Sequence, residues 1–110
     1  MKKIIIALLI GTPFLVMSQE ESIYIPSDPN ATFTVLDKGT RGGLKTIVTK
    51  REGNLGVTYS NRAFDCENRQ VMYLGSGESL DEMRASKQDD KLSPIFENSI
   101  ADYIGREACK

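Results

Sequence analysis

Two cysteines constrain this chain more than any other feature, because a bond between them would fix how a small domain closes. Cys66 and Cys109 are the only cysteines in 110 residues, so their pairing has one solution. They lie 43 positions apart, and closing a loop of that length in the unfolded chain is worth about 4 kcal/mol. Small domains have only about 5–15 kcal/mol of net stability, so the bond would supply a large part of it.

The alternative is a pair of free or metal-binding thiols. The sequence contains no histidine and no Cys-x-x-Cys motif, so a zinc site would have to complete its ligand set with carboxylates alone. The choice between disulfide and thiols depends on whether the chain reaches an oxidising compartment. The N-terminal residues bear on that question.

Those residues have the pattern of a signal peptide. Residues 1–3 form a short basic segment, and residues 4–17 are mostly apolar. Val16 and Ser18 stand where a cleavage site needs short side chains, so the mature chain is predicted to begin at Gln19. The alternative, an uncleaved anchor, would need roughly 20 apolar residues to cross a bilayer. We therefore expect export through the inner membrane to the periplasm, the cell surface or the medium, with no stable membrane insertion after cleavage.

The remaining sequence predicts one domain behind a short leader. Residues 1–18 are the signal peptide, residues 19–31 an extended lead-in containing two prolines, and residues 32–110 a single domain. The predicted fold class is α+β, an antiparallel meander of about four to six strands with a packed C-terminal helix. Alternating apolar residues and turn signals predict strands over residues 32–36, 44–51, 57–66 and 70–74.

The connections are assigned from their glycines and caps. Residues 37–43, with three glycines, are predicted as a flexible connection, and Gly75-Ser76-Gly77 as a turn. A short helix over residues 80–86 begins at a capping box. In that box the Ser79 hydroxyl accepts an amide hydrogen bond, while Glu82 reaches back to the Ser79 amide.

The last element is the clearest helix. Its cap is Asn98 or Ser99, and one apolar stripe opposes a polar face. Because Cys109 follows directly, a disulfide would press the stripe onto the sheet. The stripe consists of Ile100, Tyr103, Ile104 and Ala108, and the polar face of Asp102, Arg106 and Glu107.

Composition excludes several classes of function. Loss of Lys2 and Lys3 with the signal peptide leaves 12 basic against 15 acidic residues, which does not favour nucleic acid. Catalysis near neutral pH most often uses histidine, and the chain has none. The adjacent acids Asp81-Glu82 and Asp89-Asp90 point apart on any regular element. We predict no catalytic, cofactor-binding or metal-binding residue, and no enzyme activity.

Five residues are candidates for contact with a protein partner. Arg51, Arg62 and Arg69 carry guanidinium groups, which suit acidic partners. Tyr59 and Tyr73 lie on successive predicted strands and are expected to form a cross-strand pair. The alternative is an ordinary surface of mixed charge, because acidic residues are interspersed among the arginines.

The C-terminal half also resembles a known family. A strand ends in a cysteine, a tight turn leads to another strand, and a Ser-Pro-Ile segment precedes a terminal helix and its closing cysteine. This order resembles the surface-adhesin protein E-like family of small exported bacterial domains. Asn98 stands where that family commonly has glycine. The residues concerned are 62–66, 69–74, 93–95, 98–104 and 108–109.

The resemblance implies an antiparallel sheet with a packed terminal helix and, for the member that gives the family its name, adhesion to host proteins. Our leading hypothesis is a non-enzymatic envelope or surface protein that acts through protein–protein interaction in an adhesin-like role. The alternative is a periplasmic inhibitor or immunity protein directed against an envelope-targeting hydrolase. An enzyme with an unfamiliar carboxylate site is a third.

Overall fold

The computed structural model describes residues 21–110, so the predicted signal peptide and the first two residues of the lead-in lie outside the described residues. Six strands form one antiparallel sheet whose spatial order follows the chain, and two helices pack on it. The predicted α+β class, meander and packed terminal helix are confirmed. The elements are β1 (Glu21–Ile23), β2 (Thr32–Arg41), β3 (Leu44–Gly53), β4 (Gly56–Asp65), β5 (Gln70–Gly77), α1 (Leu80–Ala85), β6 (Ser93–Pro94) and α2 (Ile100–Ala108).

Strand β2 is longer than predicted, and the expected connection over residues 37–43 was wrong. The register of β2 against β3 shifts between Val35 and Asp37, which marks a β-bulge. Because the bulge absorbs the extra residue, the strand continues. The turn shrinks to Gly42 and Gly43, with φ of +55° and +85°, the left-handed conformation that tight two-residue hairpins require.

The segment predicted as an extended lead-in is partly built into the sheet. β1 pairs with residues 33–35 of β2. The chain then folds over one face of the sheet, where Ile25 is buried in the core. In the turn that follows, the Asp28 amide donates to the Ile25 carbonyl at 2.9 Å. Arg51 of β3 donates to the Asp28 carboxylate at 2.8 Å, which ties this turn to the sheet.

Helix α2 lies on the same face and completes the core. The predicted apolar stripe is confirmed, because Ile104 and Ala108 are buried and the other two stripe residues are partly buried against them. Gly105 sits over the Phe64 ring, where an added Cβ would lie 2.8 Å from a ring carbon. The helix can approach the sheet this closely because position 105 has no side chain. The buried cluster is Ile25, Phe33, Val35, Ile47, Phe64, Ile104 and Ala108.

The opposite face of the sheet carries α1, and this arrangement corrects the turn predicted at Gly75-Ser76-Gly77. These residues are the end of β5, not a turn. A Cβ on Gly75 would lie 2.2 Å from the Met83 carbonyl oxygen, and one on Gly77 2.6 Å from the Glu82 Cβ. The glycines are therefore explained by the close approach of the helix rather than by a reversal of the chain.

The cap of α1 matches its prediction in one half. The Ser79 hydroxyl accepts from the Glu82 amide at 3.1 Å, as expected. The Glu82 carboxylate reaches back one residue farther than predicted, to the Glu78 amide at 2.8 Å instead of the Ser79 amide.

No helix within residues 21–110 is long and apolar enough to cross a membrane.

The Cys66–Cys109 disulfide is present, with the two Cα atoms 5.9 Å apart. It joins the end of β4 to the residue that follows α2, as the sequence predicted. The alternative of two free or metal-binding thiols is therefore wrong. The disulfide therefore links β4 to α2, two elements that are distant in sequence.

Replacing both Cys66 and Cys109 with serine should lower the free energy of unfolding by about 4 kcal/mol, because the unfolded chain regains the entropy of the open loop. Urea unfolding of the oxidised protein and of the double variant measures the effect. Equal unfolding midpoints under oxidising conditions would refute the role given to the disulfide.

Gly75→Ala should lower the free energy of unfolding by about 1–3 kcal/mol, because α1 must shift away from β5 to admit the methyl group. Ser76→Ala is the matched control, since the neighbouring Ser76 is exposed and should tolerate the change. Thermal unfolding of both variants makes the comparison. An unaltered melting temperature for Gly75→Ala would show that the helix does not lie tightly on the strand.

Candidate functional site

A buried carboxylate organises the end of the domain near the disulfide. Asp102, in the first turn of α2, is only 1% exposed, which corrects its assignment to a polar outer face. Its Oδ2 accepts from the Asn98 amide and from Arg106, each at 2.8 Å. Its Oδ1 accepts from Arg69 at 3.2 Å. Three donors from two parts of the chain therefore converge on one side chain.

The start of α2 is shaped to bring these donors together. Ser99 is the N-cap, and its hydroxyl accepts from the Asp102 amide at 3.1 Å. Asn98 before it has φ of +66°, a left-handed conformation that glycine favours and asparagine tolerates. This turn aims the Asn98 amide at the carboxylate. Arg106, one turn after Asp102, reaches the same group along the helix.

The two arginines remain half open to solvent. The side chain of Arg69 is 54% exposed and that of Arg106 is 52% exposed. The structure shows one hydrogen-bonding nitrogen of each on Asp102, so other N–H groups of each guanidinium face outward. Arg106 also lies over the Tyr103 ring, 4.5 Å from its centroid. Both guanidiniums are thus held in place and keep N–H groups that can donate to a ligand.

A cavity of about 170 Å³ opens beside these groups. Its walls combine the two guanidiniums with apolar surface and the disulfide. We call it the arginine cleft, defined by Arg69, Asp102 and Arg106 with Phe64, Ile95, Gly105 and the Cys66–Cys109 bond; Asp65 also lines it.

The charge state of Asp102 follows from its contacts. Burial opposes ionisation, but the Asn98 amide and the guanidiniums of Arg106 and Arg69 outweigh it, so the pKa of the Asp102 carboxyl lies below its usual range. The carboxylate is therefore charged near neutral pH. Because it already accepts three hydrogen bonds, it serves to position the arginines.

Of the arginines chosen from the sequence, only Arg69 lies in the cleft. Arg62 is 6% exposed and donates to the Tyr73 hydroxyl at 2.9 Å and to Thr49 at 3.3 Å. Its guanidinium also lies 4.8 Å from the Tyr73 ring centroid. Burial lowers the pKa of Arg62, while Tyr73 opposes that shift. Arg62 and Tyr73 are therefore brought together, but as a pair within the sheet.

The remaining two candidates lie elsewhere. Arg51 is bound to Asp28, and its guanidinium lies 5.9 Å from the Phe33 ring centroid. Tyr59 stands opposite Gly77 rather than Tyr73, so the predicted tyrosine pair was wrong. Tyr59 and Arg62 are three positions apart on β4 and therefore point to opposite faces, and Arg62 is the cross-strand partner of Tyr73.

Two members of the cleft, Asp102 and Arg106, were assigned from the sequence to an ordinary polar helix face. A signal for Asp102 was present, because a serine followed three residues later by an acid is the pattern of a capped helix start. Arg106 four residues after Asp102 has the spacing of an ion pair on one helix face. Nothing in the local sequence indicates that Arg69, in the connection between β4 and β5, also donates to Asp102.

Within residues 21–110 no three metal-binding side chains converge on one point. Comparison of the chain with protein-family models, with curated proteins and with solved structures found no match.

Asp102→Asn should lower the free energy of unfolding at pH 7 by about 1–3 kcal/mol, because a charged acceptor of three hydrogen bonds is lost. The folded-state pKa of Asp102 is lowered, so its contribution is complete above the unfolded pKa of about 3.9 and is lost as pH falls through the folded value. The difference between wild type and variant should therefore shrink below about pH 4.

Urea unfolding at neutral and acidic pH measures this difference. Asp81→Asn is the control, because Asp81 forms an exposed ion pair with Arg84 and should change stability little at either pH. A difference between wild type and Asp102→Asn that stays constant from neutral to acidic pH would contradict the assignment.

Proposed function

We propose that this chain is an exported, non-enzymatic protein that binds a protein partner, and that the arginine cleft receives an acidic side chain of that partner. The observation that carries the proposal is a pair of half-exposed guanidiniums fixed by one buried carboxylate beside an apolar cavity. Guanidiniums recognise carboxylates through paired N–H donors, so the outward groups of Arg69 and Arg106 suit a carboxylate.

Pre-organisation favours binding at this position. A free arginine loses considerable side-chain entropy when it forms a contact, which weakens the complex. Asp102 holds both guanidiniums in the unbound protein, and the Arg106 guanidinium also packs on the Tyr103 ring. Less freedom is therefore lost on binding than at an unsupported arginine.

An exposed aromatic ring lies close to the cleft in the chain. Phe96 is 75% exposed and follows Ile95, whose amide donates to the Arg69 carbonyl at 3.1 Å. The Phe96 carbonyl accepts from the Ser99 hydroxyl at 2.6 Å, so the backbone that carries the ring is fixed to the helix cap. Aromatic and arginine side chains are the residues most often dominant in protein interfaces. Phe96 and the cleft together offer both.

The ionic contacts also favour binding over catalysis. A general base must be free to take a proton. Asp102 accepts from three donors, and the Asp65 carboxylate accepts twice from Asn68, at 3.1 and 2.9 Å. These acids support the structure of the cleft, which leaves its arginines as the groups available to a ligand.

The test measures binding of the oxidised exported protein to intact host cells, extracellular-matrix proteins and envelope-targeting hydrolases. Arg69→Ala combined with Arg106→Ala should weaken the interaction about tenfold or more, since hydrogen bonds between charged groups are lost. Arg84→Ala is the matched control, because Arg84 is an exposed arginine paired with Asp81 away from the cleft.

Binding to cells or matrix proteins would support the adhesin-like form of the proposal, whereas inhibition of a hydrolase would support the inhibitor form. Equal loss of binding in the cleft variant and in the Arg84→Ala control would show that general positive charge, and not the cleft, is responsible. Absence of binding to all three classes would overturn the proposal.

A further inference from the structure

One edge of the sheet is open over half a strand. β1 covers β2 only at residues 33–35, so residues 37–41 of β2 have no strand beside them within the part of the chain that the structure describes. All five of these residues are exposed. Within residues 21–110, the outer edge of β2 from Lys38 onward is therefore uncovered.

The opposite edge is closed in several ways. β6 pairs with β5 at Gln70 and Val71. Farther along β5, Tyr73 and Asp89 are joined twice: the Tyr73 amide donates to the Asp89 carboxylate and the Asp89 amide donates to the Tyr73 carbonyl, each at 2.9 Å. The Ser76 amide donates to the Ser86 hydroxyl at 2.8 Å. Sheets with unprotected edges tend to pair with further strands, and within residues 21–110 the uncovered part of β2 is the longer open stretch on the other side of the sheet.

The hairpin geometry shows which backbone groups of β2 point outward. Its two-residue turn makes Arg41 and Leu44 the closing pair, which exchanges hydrogen bonds across the hairpin. Hydrogen-bonded and non-hydrogen-bonded pairs alternate along an antiparallel ladder. The backbone N–H and C=O groups of Gly39 therefore also point toward β3, while those of Lys38 and Thr40 point outward. In the single chain, the Lys38 amide donates to the carboxylate of the neighbouring Asp37 at 3.0 Å.

We propose that two copies of this chain pair through this edge, antiparallel, with a two-fold axis at Gly39. Lys38 of each copy then lies opposite Thr40 of the other, and the outward N–H and C=O groups of both residues are satisfied. Asp37 lies opposite Arg41 of the other copy on the same face, so two ion pairs form. Asp37 releases the Lys38 amide, which donates to the Thr40 carbonyl of the second copy instead.

The charges select this register over its neighbours. The outward groups allow a two-fold axis at position 38, 39 or 40. An axis at Lys38 places two lysines opposite each other, which is destabilising, and an axis at Thr40 places Arg41 opposite Gly39. Only the axis at Gly39 sets opposite charges against each other. The charged residues thus discourage indiscriminate edge pairing but are complementary in one arrangement.

The contact covers about five residues a side, which is small compared with the roughly 1,200 Å² or more of stable complexes, so the dimer should exchange rapidly with monomer. Its affinity should respond strongly to a few edge residues. The pairing leaves the arginine cleft untouched, because Arg69 and Arg106 are not on this edge. Each dimer would therefore present two clefts, which strengthens attachment to a surface that carries many copies of a partner.

Sedimentation velocity of the exported protein over a wide concentration range tests the proposal. Wild type should show concentration-dependent dimerisation. Asp37→Arg and Arg41→Asp should each weaken it about tenfold or more, because attraction is replaced by repulsion at two symmetric positions. The double variant Asp37→Arg/Arg41→Asp should restore the wild-type affinity. An equimolar mixture of the two single variants should form mixed dimers that neither forms alone.

Two further variants control for other effects. Thr40→Pro removes an outward N–H that β3 does not use, so it should abolish the dimer while the domain stays folded by circular dichroism. Lys91→Asp changes the charge of an exposed residue just before β6, at the opposite edge of the sheet, and should leave the dimer unchanged. A monomer at every concentration, or a dimer that survives the single charge reversals, would overturn the proposal.

Discussion

The structure depends on how α2 is held across the sheet. A nine-residue helix has little stability alone, so its position must come from tertiary contacts. The Cys66–Cys109 bond fixes its C-terminal end to β4, and the Asp102–Arg69 ion pair fixes its first turn to the β4–β5 connection. Between these two ties, Gly105 lets the helix lie directly on the Phe64 ring. Without them the core of the sheet would be exposed on one face.

The same contacts that hold the helix also create the candidate binding surface. Asp102 is buried because α2 lies close to the β4–β5 connection, and its burial is tolerable because two guanidiniums and an amide satisfy it. Those guanidiniums then face solvent on their other sides. The arginine cleft is thus a consequence of the packing of α2, so a change that loosens the helix should weaken binding as well as stability. The proposed binding surface and the packing of α2 therefore share the same few residues.

The sequence predicted the strands and the terminal helix, which follow from repeating patterns, and the disulfide, which follows from the expected oxidising compartment. Alternation indicated the strands, and the i, i+3, i+4 spacing indicated α2. The pattern of a signal peptide, together with two cysteines, indicated the disulfide that joins Cys66 and Cys109. The predictions failed where a residue type has two uses. Gly75 and Gly77 match a turn by composition, but their lack of side chains serves the approach of α1. Such a use depends on an element elsewhere in the chain.

The candidate site was harder to predict for a similar reason. Helical periodicity assigns charged residues to the outer face, so Asp102 was expected in solvent although it is buried by its arginine partners. Arg62 was expected at the surface, but Tyr73 and Thr49 enclose it within the sheet. In both cases the decisive contact joins residues on different elements. Patterns along one element cannot show such contacts.

Amide hydrogen exchange in the oxidised and the reduced protein tests most directly whether the disulfide holds α2 on the sheet. After reduction, the amides of Ile104 and Ala108 should exchange much faster, while the Ile47 amide in the middle of the sheet keeps most of its protection. Unchanged protection of Ile104 and Ala108 after reduction would contradict the account, because α2 would then be held by packing alone.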